Sequence, residues 1–93
     1  MMKNIKEVLM SRGYNEKQAV SVADRLSKID TSFKEGLFEW IENNTERNYN
    51  IAGVELMAIK NKYVMTYPAA LLTMDWLLRE PEKAKRSINR GVR

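Results

Sequence analysis

The chain contains no cysteine and no histidine. The first absence excludes disulfide scaffolds, thiolate zinc sites and cysteine nucleophiles. The second removes the usual general base, the commonest metal ligand and the near-neutral pH switch. No segment approaches the roughly 20 apolar residues that span a bilayer. The longest apolar stretch, Tyr67 to Leu78, is interrupted by Pro68, Thr73 and Asp75. The opening residues, Met1 to Val8, have no uninterrupted apolar core of export-signal length and carry Glu7 early. The expected setting is therefore cytoplasmic, with no membrane association.

What is present is the balance of an ordinary soluble domain. Of 93 residues, 44% are hydrophobic and 30% charged, which argues against disorder or a low-complexity polymer. A chain of this length folds as one domain and buries roughly 65% of its unfolded surface. The net charge is +4, and its placement matters more than its size. Residues 1–81 hold eleven Lys/Arg against eleven Asp/Glu, whereas residues 82–93 hold Lys83, Lys85, Arg86, Arg90 and Arg93 against Glu82 alone. The expected organisation is a neutral helical body over residues 1–81 and a short basic C-terminal helix with a frayed tail over residues 82–93.

Hydrophobic spacing is helical nearly everywhere. Asn4 with Glu7, and Asn15 with Gln18, have the spacing of capping boxes. Ile5, Val8 and Leu9 form one stripe, and Ala19, Val22, Ala23, Leu26 and Ile29 another. Gly13 suits a left-handed helix end, with Tyr14 folding back beyond it. Asp30-Thr31-Ser32 is a cluster of cap formers, with Glu35 three after Ser32, and the third helix that follows turns Phe33, Leu37, Trp40 and Ile41 inward, with Phe38 at the edge. Asn43 to Asn50 reads as the longest loop. Val54, Met57, Ala58 and Ile59 read as a weaker helix, because Gly53 costs its start about 1 kcal/mol. Thr66 caps a helix from Tyr67 with Pro68 in its first turn. That helix is apolar on nearly all sides and is expected to be central. Pro81 starts a last helix whose inward contacts are Ala84 and Ile88.

The fold class expected is all-α: a single compact domain of five or six short helices in an irregular orthogonal bundle. Its buried core is expected to include Leu26, Phe33, Leu37, Trp40, Ile41, Leu71, Leu72, Met74, Trp76 and Leu77.

Catalysis is not expected, and no cofactor or metal is implied. There is no Gly-rich phosphate loop, metal-ligand cluster or nucleophile elbow. Asp75, inside the most apolar helix, is the one carboxylate singled out, and its expected role is to pair with Lys or Arg or to mark a wet edge. The favoured function is a non-catalytic protein-interaction module with a protein partner or homodimer. The basis is a surplus of large apolar residues: two Trp, two Phe, four Tyr and six Met. Nucleic acid is the alternative partner, contacted through phosphates by Lys83, Lys85, Arg86 and Arg90. A helix-turn-helix over residues 15–43 is disfavoured, since Glu35, Glu39 and Glu42 would face the phosphates with only Lys34 to offset them.

Leu9, the Gly13-Tyr14 turn, Gln18-Ala19, Ala23, Leu37 and Trp40-Ile41 together resemble ubiquitin-associated domains, which are compact three-helix modules. The resemblance covers about residues 5–43 and implies a three-helix subdomain over residues 4–43. The chain departs from that pattern twice. The stretch between the glycine turn and Trp40 is about one helical turn longer, and Arg12 stands where the family's binding loop typically has methionine.

Overall fold

In the computed structural model of the chain, residues 4–90 are described. Six helices account for most of them: α1 (Ile5–Ser11), α2 (Glu16–Leu26), α3 (Thr31–Asn43), α4 (Leu56–Lys62), α5 (Tyr67–Arg79) and α6 (Pro81–Arg90). Between α3 and α4 lie two short strands, β1 (Asn50–Ile51) and β2 (Val54–Glu55). The protein is thus mostly α, as its periodicity requires. Two compact units divide the chain between Arg47 and Asn48, so the neutral stretch 1–81 contributes to both.

In the first unit each helix begins at a side-chain cap. Asn4 accepts from the backbone N–H of Glu7, and Asn15 and Gln18 form a reciprocal capping box. The third cap is Asp30, not Ser32. The Asp30 carboxylate accepts from the Ser32 backbone N–H at 3.1 Å and from the Ser32 hydroxyl at 2.8 Å. These two bonds, the backbone one first, hold its pKa below the usual carboxylate range. Asp30 and Ser32 are both good caps, but the helix starts at Thr31, and only Asp30 then stands at the half-in position.

Helix α1 ends in a left-handed turn at Gly13, φ +106°. The N–H of Gly13 donates to the Met10 carbonyl and that of Tyr14 to the Leu9 carbonyl, which satisfies two otherwise orphaned carbonyls. Helix α1 packs on α2, and Val8, Leu9, Ala19, Leu26, Ile29, Phe33, Leu37, Trp40 and Ile41 are buried.

The second unit is arranged around α5, against which α4, α6 and β1 pack. Thr66 caps α5 by accepting from the Ala69 N–H, and Pro68 occupies the first turn. The segment expected as one weak helix from Ile51 is instead a hairpin followed by α4. Asn50 pairs with Glu55 and Ile51 with Val54 across an antiparallel turn. Ala52 and Gly53 form that turn, with φ of +53° and +82°, the paired positive values that suit the right-handed twist of flanking strands. Val54 therefore belongs to β2, and helix begins only at Leu56.

Eight of the ten expected core residues are buried; Leu72 and Trp76 are only partly so. The helical period explains the difference. Tyr67, Ala70, Leu71, Met74 and Leu77 occupy the face of α5 turned inward, and Leu72 and Trp76 lie on the other side. The indole N–H of Trp76 is also satisfied at that outer side, donating to Glu80 Oε1 at 3.0 Å. Tyr67, Leu56 and Ile59 complete the interior. Helix α6 contributes buried Ala84 and partly buried Ile88. Gly91 and Arg93, in the expected frayed tail, lie outside the described residues.

Candidate interaction surfaces

Asp75 is 1% exposed and paired with Arg79, its Oδ2 lying 2.5 Å from the guanidinium Nη2 one turn later. The spacing i, i+4 stacks the two side chains on one helix face. The carboxylate is therefore buried and engaged within α5, the Lys/Arg pairing expected of it.

Beside this pair, the outer side of α5 carries Ala69, Leu72 and Trp76 at steps of three and four, all partly buried. Leu78, near the C-terminal end, is exposed. Trp76, Arg79 and Glu80 line an open depression at this end. A large amphipathic ring is thus framed by a cation and an anion, each already fixed by a neighbour. Sequence reasoning placed Leu72 and Trp76 in the core because helix α5 is apolar almost all round, and its register alone did not reveal which face would be left uncovered.

The four cations proposed as phosphate contacts, Lys83, Lys85, Arg86 and Arg90, are all exposed on α6. Lys83, Arg86 and Arg90 follow one another at steps of three and four, so they share the face opposite Ala84 and Ile88. Lys85 lies on the flank. None of the four forms an ion pair among the described residues. The tertiary fold also ties the end of α4 to this helix. The Tyr63 hydroxyl, just past α4, donates to the Ile88 carbonyl at 2.6 Å, and Lys62 Nζ sits 5.3 Å from the Tyr63 ring centroid.

In the first unit, Arg12 does not project from its turn. Its guanidinium lies 4.3 Å from the centroid of the Trp40 ring, donates to Asn44 Oδ1 at 2.5 Å and to the Trp40 carbonyl at 3.3 Å. It thereby closes the end of α3, where Asn44 is left-handed at φ +57°. Among the described residues of this unit, the exposed large apolar side chains Met10, Val20 and Phe38 stand on three different helices.

No protein family matches the chain, and comparisons with curated proteins and with solved structures find no match. The likeness of residues 5–43 to ubiquitin-associated domains gains no support from them. At the departing position, Arg12 is committed to Trp40 and Asn44.

Proposed function

We propose that the chain is a non-catalytic helical interaction module of the cytoplasm, which binds a protein surface through the α5 face bearing Leu72 and Trp76. A second copy of the chain is the first partner to test. The observation that carries this reading is the partial exposure of a tryptophan and a leucine one helical turn apart, on the helix whose other face is the core of its unit. Tryptophan is among the residues most enriched at energetically dominant contact positions, where a surrounding polar rim excludes water. Arg79 and Glu80 supply such a rim here.

Sedimentation velocity over a wide range of concentration tests the self-association form. A reversible dimer is expected, weakened at least tenfold by Trp76→Ala or Leu72→Ser. A strict monomer overturns that form. A photo-crosslinking residue at position 72, introduced in cells, then tests the heterologous form. A discrete protein adduct absent from the same substitution at exposed position 17 supports it, and no specific adduct overturns it.

A further inference from the structure

We infer that the outer face of α6 is a docking site for the sugar–phosphate backbone of nucleic acid, engaged without reading base sequence. This site is distinct from the α5 face and stands on different observations.

Charge placement is the first. The stretch 1–47 carries eight Lys/Arg against eight Asp/Glu, and the stretch 48–93 carries eight against four. The excess belongs to the second unit, and Lys83, Lys85, Arg86 and Arg90 present much of it on one exposed helix. Geometry is the second. Arg90 follows Lys83 by seven positions, a rise of about 10.5 Å along the helix. Duplex DNA carries one charge per about 1.7 Å of its axis, so the stripe spans several phosphates. The Tyr63–Ile88 hydrogen bond fixes the last turns of α6 to the end of α4, which holds the stripe on a packed support.

Complementing the helix dipole does not account for the cations. That effect favours positive charge in the last turn and opposes it in the first. Arg90 satisfies it, but Lys83 stands at the third position of the helix and Lys85 at the fifth. Lys83 thus stands against the dipole, and Lys85, in the middle of the helix, gains nothing from it.

Ligand chemistry follows from what α6 lacks on its outer face. It carries no Trp, Phe or Leu; α6 packs on α5, and of its inward apolar residues Ala84 is buried and Ile88 partly so. An interfacial membrane helix needs an apolar face free to enter the headgroup region, and α6 has committed its own. A protein interface would need an apolar or aromatic anchor at its centre. Arginine forks and lysine point charges match phosphate oxygens directly. Backbone contacts of this kind position without specifying sequence.

The test is fluorescence anisotropy of the full chain with short labelled DNA duplexes of two unrelated sequences. Both are expected to bind alike, with log Kd changing against log salt by about 3 to 4 for four contacts. Lys83→Glu with Arg86→Glu is expected to weaken binding at least tenfold on both duplexes. Lys83→Gln with Arg86→Gln should do so by a smaller factor and reduce the salt slope by about two. Circular dichroism of each variant confirms folding, and the neutral pair serves if the reversed pair does not fold. No salt-dependent binding at low ionic strength overturns the proposal, as does binding that the neutral double variant leaves unchanged. Binding to phosphatidylserine vesicles with none to the duplexes overturns it in favour of a lipid surface.

Discussion

Val64 is 90% exposed and left-handed, at φ +54°. It occupies the turn after α4, where the Met65 N–H donates to the Lys60 carbonyl at 2.8 Å, a position that usually falls to glycine. For a β-branched residue this conformation costs about 1–2 kcal/mol, and no packing offsets it. Val64→Gly is therefore expected to stabilise the protein by about 1 kcal/mol, read as a raised denaturation midpoint with an unchanged slope. Nothing in the sequence announces such a site, because a left-handed valine contradicts its own propensity. The caps at Asn4, Asn15 and Thr66 were legible, since each is a polar residue placed just before an apolar period. The third was legible only as the cluster Asp30-Thr31-Ser32, because Asp30 and Ser32 compete for one role. Asp30 also gives a pH prediction. Its pKa is lowered in the folded state, so its contribution is present above the ordinary aspartate value near 3.9 and lost as pH falls through the lowered one. Asp30→Asn keeps a capping oxygen but cannot titrate there. The stability advantage of the native protein over this variant should shrink as pH drops below about 4, measured by thermal melts across the acid range.

Among the elements, α5 shows how far periodicity reaches and where it stops. Its central role was readable from its composition, and so was the burial of Leu71, Met74 and Leu77. Which flank would stay uncovered depends on where α4, α6 and β1 settle, and no local pattern encodes that. The two faces should answer mutation differently. Leu77→Ala is expected to cost about 2–5 kcal/mol and Leu72→Ala no more than about 1 kcal/mol, compared by urea denaturation. On the same helix, Arg79→Ala removes a partner from the buried Asp75 carboxylate and should cost about 1–3 kcal/mol, with Arg79→Lys restoring part of it. The hairpin was missed for a different reason. Strands of two residues each carry too little alternation to register against a helical background, and Ala52 stands where asparagine or glycine would have marked the turn.

For the molecule as a whole, the division falls in the polar stretch that reads as the longest loop, and the residues at its border are not idle. Arg47 reaches back to α3, with Nη1 2.8 Å from Glu35 Oε1 and Nη2 2.6 Å from Glu39 Oε2. Two carboxylates one turn apart thus hold the last residue of the first unit. Arg47→Gln should release the segment, seen as faster cleavage after Glu46 by a glutamate-specific protease while the melting temperature changes little. Long-range pairing of this sort was invisible in sequence, where Glu35 was assigned to a cap. The same division leaves one tryptophan on each side: Trp40, buried under the Arg12 guanidinium, and Trp76, partly open to solvent and bonded to Glu80. Each half of the protein therefore carries its own optical reporter. Trp76→Phe leaves only the first half emitting, at the shorter wavelengths of a shielded indole, and Trp40→Phe leaves only the second, red-shifted and open to iodide quenching. With no cysteine in the chain, a single thiol-linked dye placed anywhere on the surface would make either half a donor for energy transfer without a competing label.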